Sequence, residues 1–164
     1  MVRQITRDDH ADAALICGVA TALRDWGVHT GQPPPLKILR EAVWFYWQAP
    51  RLRGKKVPPK YPRAVGWSEA AARLVASGEP RKGRLVIEHI EPMNRALRWL
   101  VEEAPEVDEV IAQLPSRLRC VVVTKDESVS LPDDGTPDER YAKAGLNLAS
   151  FRALDDWDFP SSAT

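Results

Sequence analysis

Two short runs of apolar, largely β-branched residues constrain the fold of this 164-residue chain more than any other feature. The first run, Leu85-Val86-Ile87, leads into Glu88-His89, and the second covers 118–123, where Arg119 is the one charged residue before the uninterrupted apolar stretch 120–123. Continuous apolar runs of this length are typical of strands that are buried on both faces. Most other apolar residues recur at helical spacing. We therefore predict an α/β (α+β) fold, mostly helical, with a small sheet of two or three strands that includes 84–89 and 118–123.

Helical spacing accounts for most of the remaining chain. Leu15, Ile16, Val19, Leu23 and Trp26 predict a first helix, and Gly27 is placed to end it. Further helices are predicted at 36–48, 68–78, 93–105, 107–114, 125–131 and 137–144. Ser68 is expected to cap the predicted helix at 68–78, and Thr124 the one that follows the second strand.

The predicted helix at 36–48 contains an aromatic cluster, Trp44-Phe45-Tyr46-Trp47. Its apolar face is formed by residues at helical spacing, namely Leu36, Leu39, Val43 and either Tyr46 or Trp47. Part of the cluster must therefore lie outside the buried stripe. A wide contact between helices is the interpretation we favour, and a surface on which nucleic-acid bases stack is the alternative.

Length and composition limit the class of protein. The chain has the size of one domain, which we expect to cover 1–154, with a polar tail at 155–164. Its formal net charge is zero, so no global field favours nucleic acid. It has neither a signal-peptide core nor an apolar run of membrane-spanning length, so we expect a cytoplasmic protein without a membrane partner. Cys17 and Cys120 lie far apart in apolar surroundings, which predicts buried thiols.

The stretch from 51 to 63 differs in charge from the rest of the chain. It holds six cations and no acid: Arg51, Arg53, Lys55, Lys56, Lys60 and Arg63. Interspersed prolines exclude a regular helix, which predicts an extended basic loop at 50–66. A second basic group, Arg81, Lys82 and Arg84, leads into the first predicted strand. The two groups form either a solvated surface or a set of contacts to nucleic-acid phosphates.

Glu88 and His89 place an acid and an imidazole at the end of an apolar strand. One interpretation makes them a metal ligand and a general base at a cleft, and the other makes His89 a hydrogen-bonded core residue and Glu88 a solvated strand end. Asp126 and Glu127, at the start of the helix after the second strand, could add carboxylate ligands for a divalent metal. Adjacent strand residues point to opposite faces, so Glu88 and His89 can share a site only where the strand ends or bulges.

The stretch Glu88-His89-Ile90-Glu91-Pro92 resembles the first motif of the HNH nucleases, the ββα-metal or His-Me finger superfamily. Val123-Thr124-Lys125-Asp126-Glu127 is similar to the strand-to-helix start in some HNH proteins, where a later His or Asn completes the site. The resemblance covers 84–131 and implies that His89 activates water and that Glu88, with Asp126 or Glu127, binds Mg²⁺ or Mn²⁺. The chain departs from the family pattern because no histidine follows His89 and the zinc-binding cysteine pairs of many members are missing.

Three functions are compatible with these features. The resemblance implies a metal-dependent endonuclease that acts on DNA or RNA. The alternatives are a catalytically inactive module that binds nucleic acid through 51–63, and a helical interaction or regulatory protein that binds a protein partner through the 44–47 surface. Exposed aromatics in a mostly helical protein would favour the interaction protein, and phosphate affinity without metal dependence would favour the binding module. The sequence leaves the oligomeric state open.

Overall fold

The computed structural model describes residues 8–53, 57, 60–80 and 82–158. Its helices are α1 (Asp9–Thr30), α2 (Leu36–Ala42), α3 (Ala49–Arg51), α4 (Glu69–Ala76), α5 (Met93–Glu102), α6 (Val107–Arg117), α7 (Lys125–Ser130) and α8 (Pro137–Lys143). A π-helical segment, Val43–Gln48, joins α2 to α3, and short 3₁₀ turns occupy Leu148–Ser150 and Leu154–Asp156. The strands are β1 (Gly66–Trp67), β2 (Leu85–His89) and β3 (Cys120–Thr124).

The predicted fold class is confirmed: the protein is mostly helical, with a small mixed sheet. The strand order is β1-β3-β2, with β3 parallel to β1 and antiparallel to β2. Both predicted strands are present within one or two residues of their expected bounds. The two residues of β1 were not predicted, because so short a strand leaves no apolar run to recognise.

The chain divides into two compact units. The helical unit comprises Met1–Leu52 and Pro92–Leu118, and the sheet unit comprises Arg53–Glu91 and Arg119–Thr164. Each cysteine remains a thiol, Cys17 in the helical unit and Cys120 in the sheet unit. The sequence-based boundaries of 1–154 for one domain and 155–164 for a tail remain a prediction.

In the helical unit, α1 extends past its predicted end. Asp8 caps it by accepting hydrogen bonds from the backbone N–H groups of His10 and Ala11, and the helix continues to Thr30. The predicted end at Gly27 is therefore wrong, and Gly31, with a φ of 67°, is the left-handed cap. Gly27 serves a packing role instead, because a Cβ there would lie 3.2 Å from the Gln32 oxygen and from Pro34 Cγ.

The core of the helical unit is made by one face of each long helix. Its buried residues include Ile16, Ala20, Leu23, Leu39, Val43, Trp47, Leu97, Leu100, Val110 and Leu114. Of the two aromatic residues that could complete the second predicted helix face, Trp47 is 3% exposed and Tyr46 is 49% exposed. The π-helical segment has a wider turn than an α-helix. The buried Gln48 amide donates to the Leu118 carbonyl at 3.0 Å.

In the sheet unit, both faces of β3 are buried, as its continuous apolar run predicts. Val122 and Trp67 pack with Ala71 and Ala72 of α4 on one face. On the other face Val121 and Val123 pack with a group that includes Ile90, Leu131 and Tyr141. This sandwiching gives the small sheet its hydrophobic stabilisation.

Tyr141 provides a test of packing in this core. Its side chain is fully buried, and its hydroxyl has no hydrogen-bond partner among the described residues. Burial, and secondly the nearby Glu88 carboxylate, raise the pKa of that hydroxyl. We expect Tyr141→Phe to stabilise the protein by about 1 kcal/mol, because it removes a polar group that is desolvated without compensation. Thermal unfolding should show a rise in Tm of roughly 2–4 °C.

Tyr61→Phe is the matched control, since the buried Tyr61 hydroxyl donates to the Leu85 carbonyl. The same atomic deletion should cost about 1–2 kcal/mol at this position. A Tyr141→Phe variant that loses as much stability as Tyr61→Phe would contradict the assignment of an unsatisfied hydroxyl.

Candidate functional site

The segment 84–131 of the sheet unit contains a strand–strand–helix unit. The antiparallel register of β2 and β3 pairs Leu85 with Thr124 and His89 with Cys120. The chain then enters α7, and Ser128 of that helix donates a hydrogen bond from its hydroxyl to Glu88 Oε1. The helix that follows β3 therefore returns to the strand that carries the Glu88-His89 pair.

Glu88 and His89 point to opposite faces of the sheet. The β2–β3 ladder is regular through both residues, and it continues with a 2.9 Å hydrogen bond from the Ile90 N–H to the Arg119 carbonyl. Alternation along a regular strand puts Glu88 on the face that α7 and Tyr141 cover. His89 lies on the other face, with Leu85 and Ile87. Neither a bulge nor a strand end brings the two side chains to one side.

Glu127 is hydrogen-bonded to the N-cap residues of two helices, Thr124 of α7 and Ser68 of α4. Its Oε2 accepts hydrogen bonds from the Thr124 N–H at 2.8 Å, from Thr124 Oγ1 at 3.1 Å and from Ser68 Oγ at 2.6 Å. Ser68 in turn caps α4, because its Oγ accepts from the Ala71 N–H at 3.1 Å. Since β1 and β3 are parallel, their carboxyl ends meet at one sheet edge, and Glu127 links the helices that start there.

Asp126, next to Glu127 in the chain, lies in a different environment. Its exposed side chain lines a cleft of about 490 Å³ together with side chains from α4, the turn before β2 and the start of α7. Charged residues around this cleft are Arg73, Glu79, Arg84, Lys125 and Asp126. Sequence reasoning missed Arg73 and Lys125, because neither belongs to a local run of cations.

The residues proposed as metal ligands (Glu88, Asp126 and Glu127) and the proposed general base (His89) lie in different surroundings. Glu88 and His89 face opposite sides of the sheet, Glu127 Oε2 already accepts three hydrogen bonds, and Asp126 lines the cleft. Within residues 8–53, 57, 60–80 and 82–158, no group of three or more His, Cys, Asp or Glu side chains could hold a metal ion. Among the described residues, the Mg²⁺ or Mn²⁺ site that the resemblance implies therefore lacks a group of three such side chains.

Three of the predicted phosphate-binding residues have acidic partners, and for Arg51 and Arg63 those partners come from distant parts of the sequence. Arg51 pairs with Asp9 and Asp12 and lies 3.8 Å from the centre of the Trp47 ring. The Arg63 guanidinium donates to Asp155, with an Nε–Oδ1 distance of 2.8 Å, and this hydrogen bond raises the pKa of Arg63. Arg84 pairs with Glu79 at 2.7 Å. The lack of acids within 51–63 therefore does not leave all of its cations unpaired.

The other predicted cations divide into two groups. Arg53, Lys60 and Lys82 are exposed on the sheet unit, and the Lys60 ammonium lies 4.9 Å from the centre of the Tyr61 ring. Lys55, Lys56 and Arg81 lie outside the described residues. Their contribution to a nucleic-acid interface remains a prediction from the sequence.

Exposed apolar side chains concentrate in the helical unit. Among the described residues, the large apolar side chains with high exposure are Leu15, Trp26, Val28, Ile38, Phe45, Tyr46 and Val129, and all except Val129 belong to that unit. Phe45 is 60% exposed and Tyr46 is 49% exposed, so part of the aromatic cluster lies on the surface as predicted.

Comparison with family models, with curated proteins and with solved structures gives no match for this chain. The resemblance to HNH nucleases therefore rests on the short motif and on the strand–strand–helix order alone. Among the helices in the described ranges, none combines the length and the apolar composition that crossing a membrane requires.

Proposed function

We propose that this protein binds nucleic acid through the basic segment 53–91 of its sheet unit, and that it does so without metal-dependent cleavage. Charge asymmetry carries the proposal. Residues 53–91 contain nine Lys and Arg against four Asp and Glu, a balance of +5 in a chain whose net charge is zero. Arg53, Lys60 and Lys82 present exposed side chains from this segment. A concentrated basic surface is the usual electrostatic feature of phosphate-backbone binding.

The arrangement of the acids supports binding over cleavage. A hydrolytic site of the HNH kind needs a histidine and carboxylates around one metal ion, which stabilises charge on the phosphate. Here Glu88 accepts from Ser128 on one face of the sheet, and His89 belongs to the other face. Glu127 accepts hydrogen bonds from Ser68 and Thr124. The strand–strand–helix unit is thus proposed to act as a scaffold for binding.

The salt dependence of affinity tests this function. Lysine and arginine contacts to phosphates release condensed counterions, so log K falls linearly with log salt, by about 0.7–0.9 for each contact. We expect labelled DNA or RNA to bind with a slope equivalent to several contacts, measured by fluorescence anisotropy between roughly 50 and 200 mM salt. EDTA should leave the affinity unchanged. Absence of binding at the lowest salt would refute the proposal.

A protein-binding function is the second candidate, and the exposed apolar residues of the helical unit favour it. Side chains such as Ile38, Phe45 and Tyr46 contribute apolar surface of the type that marks interaction sites. The test is a double variant, Ile38→Glu with Tyr46→Glu, compared with the wild type for capture of a partner that is then purified and mixed with each form. Equal binding by both forms would exclude this surface.

A further inference from the structure

We propose that the cleft beside the start of α7 holds a phosphate group of the nucleic-acid backbone, contacted by Arg73, Arg84 and Lys125. This inference rests on the proposed nucleic-acid binding and gives it a specific site. The three cations come from α4, from the turn before β2 and from the first residue of α7. They are far apart in sequence and line one cleft of about 490 Å³.

Backbone contacts hold this cleft in shape. The Lys125 N–H donates to the Arg84 carbonyl at 2.8 Å, which fixes the start of α7 against the residue that precedes β2. Thr124 and Glu127 complete a capping box at the same helix start. Because these contacts involve backbone and cap atoms, they do not use the side chains of Arg84 and Lys125. The site is therefore built on fixed elements, which reduces the ordering cost of binding.

The existing ion pairs of the arginines can be exchanged for a phosphate. Arg84 pairs with Glu79, and Arg73 pairs with Glu69 one helical turn earlier. The side chains in these pairs are 52–75% exposed, and exposed pairs contribute little to stability. A phosphate offers several strong acceptor oxygens, and guanidinium groups bind them with paired, charge-assisted hydrogen bonds.

Two acids in the cleft allow a bound phosphate to be distinguished from a bound metal ion. Glu79 and Asp126 also line it, and their carboxylates repel a phosphate but would attract a metal ion. Neutralising Asp126 should therefore strengthen nucleic-acid binding if the cleft holds a phosphate. The same change should weaken any activity in which Asp126 acts as a metal ligand. The sign of this single effect separates the two roles.

The volume of the cleft would also suit a small phosphate compound, since ligand pockets measure about 300–1,000 Å³. The polymer and the small compound share the same recognition chemistry. Inorganic pyrophosphate is the probe that distinguishes them. A cleft that binds the nucleic-acid backbone gains most of its affinity from further contacts along the polymer. Pyrophosphate should therefore compete only at concentrations far above those of oligonucleotide phosphate.

The experiment compares anisotropy titrations of labelled duplex DNA and duplex RNA for the wild type and four variants. These are Arg73→Ala with Arg84→Ala, Lys125→Ala, Asp126→Asn, and the control Arg98→Ala with Lys143→Ala. Each cation removed from the cleft should weaken binding roughly fivefold to tenfold near 0.1 M salt and lower the salt slope by about 0.7–0.9. Asp126→Asn should tighten binding a few-fold, on the order expected for one exposed charge. The control pair should change neither quantity.

Four results would overturn the inference, and they separate its failure from that of the proposed function. Salt-dependent binding by the wild type that the cleft variants keep in full would move the site elsewhere and leave nucleic-acid binding intact. Weaker binding by Asp126→Asn would exclude a phosphate in the cleft. Competition by pyrophosphate at concentrations equal to those of oligonucleotide phosphate would assign the cleft to a small ligand. No binding by the wild type would refute the cleft and the proposed function together.

Discussion

Glu127→Ala is expected to lower the free energy of unfolding by about 2–4 kcal/mol. The substitution removes the acceptor of three hydrogen bonds, two from Thr124 and one from Ser68. Ser68 is only 1% exposed, so water cannot readily replace the carboxylate as a partner for its hydroxyl. A hydrogen bond to a charged group contributes about 1.5–3 kcal/mol, and a helix cap about 0.5–2 kcal/mol. The measurement is chemical unfolding at neutral pH.

Asp126→Ala is the matched control for this result. It removes the neighbouring carboxylate from the same helical turn, where the side chain is exposed and lines the cleft. Loss of a favourable charge near a helix start costs about 1 kcal/mol or less. Equal stability losses in the two variants would contradict the capping role of Glu127. A metal ion that raised the Tm of the wild type but not of Glu127→Ala would identify Glu127 as a ligand instead.

Replacing Lys55, Lys56 and Lys60 together with alanine should reduce nucleic-acid affinity by on the order of a hundredfold or more near 0.1 M salt. Without these three cations, binding releases fewer counterions from the nucleic acid. Each lost phosphate contact lowers the salt slope by nearly one unit. Sequence preference should change little, because phosphate contacts carry no direct base information. Stability should also be nearly unchanged, as the sequence-based prediction of an extended basic loop at 50–66 implies.

The control for the triple variant is Lys37→Ala, Arg98→Ala and Lys143→Ala, which changes the net charge by the same amount outside 53–91. If the loss depended only on total charge, the two triple variants would bind equally. Full affinity in the Lys55, Lys56 and Lys60 variant would mean that this part of the basic segment takes no part in binding. Binding would then depend on other cations, including those of the cleft.

Local sequence patterns predicted the elements of the fold well where a pattern is typical of only one kind of structure. The continuous apolar run before Thr124 predicted a strand buried on both faces, and Ser68 was correctly predicted as a helix cap. The predicted end of α1 at Gly27 was wrong. Glycine is needed there because Gln32 and Pro34, which follow the helix, pack closely against it, and the local sequence does not reveal this contact.

The candidate site was harder to predict, since its composition depends on contacts between distant residues. The spacing Thr124-x-x-Glu127 is a capping-box pattern, and Glu127 together with Asp126 also fits a metal-ligand pattern. Only the contact with Ser68, fifty-nine residues earlier, distinguishes the two. In the same way, the acids that pair with Arg51 and Arg63 lie 39–92 residues away in the sequence. Local charge counts cannot include them.

The opposite orientations of Glu88 and His89 follow from the regular ladder. Strand alternation predicted that these residues would share a site only at a bulge or a strand end. The pairing of Glu88 with Val121 and of His89 with Cys120 continues the register without interruption. The resemblance to a nuclease motif thus coincides with a backbone conformation that separates its two functional groups.

The most direct test of binding without cleavage follows the length of an end-labelled oligonucleotide at protein concentrations that saturate it. The wild type and His89→Ala are incubated with single- and double-stranded DNA and with RNA, in Mg²⁺, in Mn²⁺ and in EDTA. We expect both proteins to leave every bound substrate uncut in all three conditions. Cleavage by the wild type that EDTA abolishes, and that a stably folded His89→Ala has lost, would contradict this account and make Glu88 and His89 the active site.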